Sequence, residues 1–369
     1  MDVEIYKYFH LDQPFEEKLD DTRTGSGSFN VNLNKETRDW ANPDVHKMET
    51  KLYPLPPETI QNNQINTPGI IKKYKKWNQS TIFPGTERYI FTYVSNNGNN
   101  NNNNKTKMKK KQTTTEYNLI ICFDAGNFNV LPTILDNMIH QQRLEPTVAI
   151  FVTPGRRPGH PLGKYRDDDI EGKTNILHDD PQRSFEYDSI TDTNSQFLMK
   201  DLIPFFKKEN PNIALTTNPR KRCLCGSSSG AVAAFTACFH RPDQFGLCIS
   251  HIGSFVNIRG ASNFPWIIRN THKKNIRVFL QSGELDIDNN HGSWPLGNYA
   301  MYKALLYAQY PKTDVRFVFG KGTHSGRHGL NMLPQTLEWI FNEATSSKSD
   351  HNNDNVQTRI HGDGKFSKL

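Results

Sequence analysis

From about residue 83 the chain alternates between short apolar runs and longer amphipathic ones. RYIFTYVS (88–95) alternates as a strand does, and YNLIICFD (117–124) is apolar almost throughout, the pattern of a strand covered on both faces. The two follow one another and read as a hairpin whose loop has grown long. The spacing then predicts a helix over 129–142, a strand over 147–153 and an amphipathic helix over 194–209. It goes on with a strand at 221–225, a small-residue helix at 231–241 and strands at 245–253 and 275–283. A helix at 293–310, a strand at 314–320 and a closing helix at 332–343 complete the series. Repeated strand–helix units with apolar strands predict an α/β fold, a mostly parallel central sheet flanked by helices on both faces. Sheets of this kind carry their sites at the carboxyl ends of the strands.

The rest of the chain lacks this rhythm. Residues 1–78 are polar, broken by TGSGSFN and YPLPPETIQNNQ, and read as an N-terminal extension to a domain over 79–345. Residues 96–115 are Asn-rich, then Lys-rich, then Thr-rich, and the tail 346–369 is similarly polar. Neither carries the apolar surface that would offset the entropy of ordering it, so both are expected to be disordered. A hydrophobic fraction of 35% over 369 residues and a mean hydropathy of −0.71 agree with a partly unpacked chain.

The net charge of +7 changes the picture less than its size suggests. Lys72, Lys73, Lys75 and Lys76 form one run, and Lys105, Lys107, Lys109, Lys110 and Lys111 another. Taking those nine away brings the net charge from +7 to −2, so the remainder is nearly neutral. Nucleic acid is therefore not an expected partner. Cys223 and Cys225 alternate on a strand and read as buried thiols, and the histidines show no paired metal-ligand spacing, so no metal or cofactor is expected. No signal-peptide core and no apolar stretch of membrane-spanning length is seen, so a cytoplasmic protein without a membrane span is expected.

The candidate chemistry starts at CLCGSSSGAV (223–232). A buried strand ends at Cys225 and a helix begins near Ala231, which sets Gly226-Ser227-Ser228-Ser229-Gly230 as G-x-S-x-G on a strand-to-helix turn. Such a turn lifts the central hydroxyl, Ser228, clear of the sheet as a nucleophile. The base and acid should follow at later strand ends. Asp286 lies just past strand 275–283, with Glu284 and Asp288 as rival acids. His324 lies just past strand 314–320, with His328 as the rival base; His291 and His251 read as lining or structural residues. The oxyanion needs backbone donors, each worth about 3 kcal/mol of barrier. One is the N–H of Ser229, and the second is expected in DAGNFN, from Gly126 or Asn127.

GSSSGAVAAFTACFHRPDQFGLCISHIGSFVNIRG, RSFEYDS, RVFLQSGELDIDNNHGSWPLGN, RFVFGKGTHSGRHG and IFPGTERYIFTYVS together resemble the enterochelin-esterase-like proteins of the esterase D group of α/β-hydrolases. The likeness runs from about 80 to 343. It implies an α/β-hydrolase fold and a serine esterase that forms an acyl-enzyme on Ser228, with His324 and Asp286 completing the triad. Named members cleave ester bonds of ferric catecholate siderophores; relatives act on feruloyl esters, acyl sugars or S-formylglutathione, and some transfer acyl groups. The expected partner is a small-molecule ester. Arg156, Arg157, Arg259 and Trp294 sit in loops expected to line the acyl cleft. Two alternatives stand beside hydrolysis: an acyltransferase on the same triad, and a non-catalytic interaction protein of the same fold.

Overall fold

The computed structural model describes residues 43–96, 116–127, 129–158 and 181–342. The expected disordered tail lies outside these residues, as does the expected insertion apart from Asn96.

The apolar runs form a nine-stranded sheet in which eight strands follow the order β1-β2-β4-β3-β6-β7-β8-β11 and β5 pairs with β3. Its strands are β1 (Ile70–Trp77), β2 (Arg88–Val94), β3 (Glu116–Phe123), β4 (Thr147–Val152), β5 (Ala214–Leu215), β6 (Arg222–Ser227), β7 (Leu247–His251), β8 (Arg277–Leu285) and β11 (Val315–Thr323). β9 (Asp288–Asn289) and β10 (Gly292–Ser293) make a separate small ribbon. From β4 across to β11 every pairing is parallel. β2 runs antiparallel to both its neighbours, β1 and β4.

Two expectations are corrected here. β2 does not form a hairpin with β3; Ile90 pairs with Val152 and Val94 with Val148, so β4 lies between them. The hairpin partner of β2 is β1, whose lysines hid it. The sheet thus takes in residues 70–77, upstream of the expected domain boundary.

Helices cover both faces. α2 (Leu131–His140), α9 (Arg327–Asn331) and α10 (Leu333–Phe341) serve one side, with α2 and α10 supplying Ile134, Leu135, Met138, Leu337 and Ile340 to its core. The other side is covered by α3 (Pro181–Tyr187), α4 (Thr193–Phe197), α5 (Ile203–Glu209), α6 (Ser229–His240), α7 (Phe264–Arg269) and α8 (Trp294–Tyr307). β3 explains why its run reads as continuously apolar. Leu119, Ile121 and Phe123 face the second core and Ile120 and Cys122 the first, each at most 1% exposed. The helix expected over 194–209 is α4 and α5 joined by a π turn, Leu198–Leu202. Pro204 has no N–H for the carbonyl one turn back, so the ladder widens just before it. All five cysteines are free and buried within this packing.

Upstream, α1 (Pro43–Leu52) lies against β11 and α9. No helix of the described residues is long and apolar enough to cross a membrane.

Candidate active site

The turn between β6 and α6 has the geometry its glycines require. Ser228 takes φ 57°, ψ −126°, a left-handed conformation that side-chain-bearing residues adopt rarely and at a cost of about 1–3 kcal/mol. A Cβ on Gly226 would lie 2.1 Å from the carbonyl oxygen of Gly230, so only glycine lets the strand end pass the helix start. The Ser228 N–H donates to the His251 carbonyl at 3.0 Å, tying the turn to the end of β7.

β8 and β11 bring the other two groups. Gly320 pairs with Gly283, then a bulge intervenes before Thr323 pairs with Leu285. The two strands pass so closely that a Cβ on Gly283 would meet the Gly322 carbonyl oxygen at 2.0 Å. The bulge re-aims the strand end immediately before His324. His324 Nε2 then lies 2.9 Å from Ser228 Oγ, and its Nδ1 lies 2.5 Å from Asp286 Oδ1. An ionised carboxylate only accepts, so Nδ1–H donates to Asp286 and Nε2 is left to accept the Ser228 proton. Asp286 also accepts from the Ile287 N–H at 2.8 Å. Its rivals Glu284 and Asp288 are exposed. His328, the rival base, instead meets Gln281 Nε2 at 3.1 Å and stacks on Tyr53 at 4.0 Å.

The remaining expected residues divide. The Gly126 N–H donates to the Phe123 carbonyl at 3.0 Å, so the turn itself consumes the donor expected for the oxyanion. Ser229 opens α6, where its N–H has no place in the helix's own ladder. Trp294 is only 2% exposed and its indole N–H donates to Ser254 Oγ at 3.0 Å, so it is no cleft contact. Its ring instead meets His324 edge-on, with centroids 5.9 Å apart. Arg156 is buried in a backbone bridge to Glu87, whereas Arg157 is exposed. Arg259 donates to Ser184 Oγ at 3.2 Å and lies over the Phe185 ring.

Three residues of the site were not anticipated. Ser254 Oγ lies 3.0 Å from Ser228 Oγ. Arg183, buried on α3, grips both carboxylate oxygens of Asp124 at 2.9 and 2.7 Å and donates to Ser229 Oγ at 2.9 Å. The β3–α2 turn is thereby locked to the residue after Ser228. Despite burial, the Asp124 charge keeps this guanidinium protonated above its ordinary range. Glu49 of α1, fully buried, accepts from the Thr323 N–H and hydroxyl at 2.8 Å each and from the Ser325 hydroxyl at 2.7 Å. It therefore holds the residues on both sides of His324. No local signal marks Ser254 or Glu49, because their partners are distant in sequence. RSFEYDS did mark the segment that bears Arg183, though not the contact it makes.

A mostly parallel sheet with a serine elbow after β6, an acid after β8 and a histidine after β11 defines an α/β-hydrolase. The sequence profile of the family described as "Putative esterase" matches residues 104–362, and the chain belongs to that family. Among solved structures it is similar to the enterobactin esterase of Shigella flexneri in the presence of 2,3-dihydroxy-N-benzoyl-glycine. Identity is 18% and the TM-score 0.53, covering 78% of this chain and 63% of that one. The ferric enterobactin esterase of Salmonella typhimurium gives 16% and 0.53, covering 78% and 62%. A ferulic acid esterase gives 11% and 0.51, covering 74% and 99%. The chain thus spans less than two thirds of the enterobactin esterases, and at these identities the likeness concerns the fold. No curated protein sequence matches the chain.

Proposed function

We propose that the chain is a serine esterase that hydrolyses a small-molecule carboxylic ester through an acyl-enzyme on Ser228. The observation that carries this reading is the unbroken line from Ser228 Oγ through the His324 ring to Asp286, at 2.9 and 2.5 Å. Ser228 Oγ attacks the ester carbonyl while its proton passes to His324 Nε2. Asp286 holds the Nδ1–H tautomer and stabilises the imidazolium that forms. The tetrahedral oxyanion is met by the Ser229 N–H and by an amide of the 124–127 turn. With Gly126 committed to Phe123, the Asn127 amide is our candidate for the second donor. Nε2–H then protonates the departing alcohol, leaving the acyl group on Ser228. Water, deprotonated by His324, releases the acid and restores the serine.

Arg259, half-buried among Ser184 and Phe185, is the cationic group we assign to the acyl cleft. A cation over an aromatic ring suits an anionic or aromatic ester. Five unpaired buried cysteines suit a reducing compartment.

The test is labelling by a fluorophosphonate together with p-nitrophenyl acetate hydrolysis, on the wild type and Ser228→Ala. Label and turnover in the wild type, with label absent and kcat down by about three orders of magnitude or more in the variant, is the expected result. A folded wild type that takes no label sinks the reading. Running the assay with and without an added acceptor alcohol separates hydrolysis from acyl transfer.

A further inference from the structure

The polar line through the site does not begin at Ser228. Ser254 stands on the turn after β7, 1% exposed, with its Oγ 3.0 Å from Ser228 Oγ and 3.0 Å from the Trp294 indole nitrogen. Among the described residues it has no other hydrogen-bond partner for that oxygen. An indole nitrogen only donates, so Ser254 Oγ accepts from Trp294. The proton of Ser254 then has one acceptor, Ser228 Oγ. If Ser228 donated to Ser254 instead, the buried Ser254 proton would be left without a partner among the described residues, which is disfavoured roughly tenfold or more in population. His324 Nε2 would also lose its hydrogen bond. The only arrangement that satisfies every proton runs one way: Trp294 to Ser254 to Ser228 to His324 to Asp286.

The parts are held for this. Asn298, fully buried on α8, donates to the carbonyls of Gly253 and Trp294 at 2.8 and 2.9 Å, joining the turn that bears Ser254 to the helix that bears Trp294. The Ser254 N–H donates to the Ser228 carbonyl at 3.2 Å, so backbone and side chain of Ser254 both engage the nucleophile residue.

We propose that Ser254 is a fourth catalytic residue, its hydroxyl donating to Ser228 Oγ, with Trp294 as the positioning residue that fixes the direction of that donation. The inference rests on the proposed triad. Ser254 keeps its own proton throughout; the only proton that moves is that of Ser228, to Nε2 and back. The Ser254 hydroxyl directs the Ser228 proton toward His324 before attack. When the acyl-enzyme breaks down, it stabilises the negative charge that gathers on the departing Ser228 Oγ, so its effect should be largest on deacylation.

The experiment is a double-mutant cycle in the full chain, Ser254→Ala, Trp294→Phe and both together, with burst and steady-state rates on p-nitrophenyl acetate. Ser254→Ala should lower the deacylation rate and kcat about tenfold to a hundredfold. Trp294→Phe should lower kcat severalfold while Ser254 is present, and cost nothing further once Ser254 is alanine. Ser254→Thr, which keeps a hydroxyl, should recover most of the loss. A Trp294→Phe loss that is the same in both backgrounds would mean that the indole only packs, and an unchanged kcat in Ser254→Ala would overturn the proposal. Should Ser254→Ala not fold, Trp294→Phe alone decides: wild-type kcat with Ser254 intact overturns it. Failure of the triad reading is distinct, because Ser228→Ala would then retain turnover.

Discussion

His251, whose carbonyl accepts the Ser228 N–H, and His328 are kept neutral by the fold. His251 is buried at the end of β7, and burial lowers its pKa to about 3, with the nearby His328 adding to the effect. Burial lowers His328 to about 4, against the opposing charge of Glu49. The groups facing His328 are Gln281 from β8 and Tyr53 and Glu49 from the α1 segment. Both values lie below the ordinary 6.5, so the unfolded chain binds protons that the folded one refuses. Stability is then fully present above about pH 6.5 and falls as the pH drops toward the folded values. Each histidine contributes about 1.4 kcal/mol per pH unit in that window. Urea unfolding at pH 7, 6 and 5 should show this decline, and His328→Gln should reduce its slope by about half. A slope that the substitution leaves unchanged would mean that other groups carry the effect. At this scale the sequence told most about Ser228, because glycines two residues away on each side record a local backbone constraint. Asp286 and His324 were legible as strand-end positions; that Asp286 meets His324 while Glu284 and Asp288 stay exposed and His328 meets Gln281 was not, because strand-end spacing does not record which side chains turn inward. Trp294 was misread because its place at the start of α8 gives no sign in the sequence that its side chain is enclosed.

The elements that surprise are those at the edges of the rhythm. β1 reads as a solvated lysine run because six of its eight residues are exposed, and only Trp77 is buried. An edge strand with one open side shows neither continuous apolarity nor clean alternation, and its lysines discourage a second chain from pairing there. α1 was equally silent in the sequence, since among its described side chains the buried one is the Glu49 carboxylate. Glu49 binds Thr323 and Ser325, the Tyr53 hydroxyl accepts the Lys321 N–H at 2.8 Å, and Arg327 donates to the Tyr53 carbonyl at 2.8 Å. This helix therefore clamps the loop of His324 although it lies outside the stretch matched by the family profile. We propose that the working hydrolase unit begins at α1 and not near residue 79. Glu49→Ala would leave a buried N–H and two hydroxyls without their acceptor, at a cost of about 1–3 kcal/mol for each group that water cannot reach. The expected result is a lower melting temperature and, well below it, a kcat reduced about tenfold with KM nearly unchanged. Glu49→Gln, which keeps one acceptor oxygen, should fall between; wild-type kcat in both variants would show that the clamp is dispensable.

Across the described residues, one sheet separates two apolar cores, and Ser228, Asp286 and His324 gather where β6, β8 and β11 end on the same side. Parallel strands were readable because each buried run is bracketed by helix-length segments; the order of the first three strands was not, because neighbours in sequence need not be neighbours in space. The same topology joins stretches far apart in the chain, since Glu49 and Thr323 are 274 residues apart. Closing so long a loop carries an entropic cost that ordering of the chain between reduces, so this contact is expected to form late. In refolding from urea, tryptophan fluorescence should therefore recover ahead of p-nitrophenyl acetate hydrolysis, and coincident recovery would argue against a late clamp. For a chain still on the ribosome the consequence is sharper. The residues of its serine elbow are synthesised long before residue 324 emerges, so on the proposed mechanism a nascent or prematurely ended polypeptide carries Ser228 with no His324 beside it. On that mechanism the clamp can close only once residue 323 has emerged, and a fragment that stops short of β11 is expected to consume no ester.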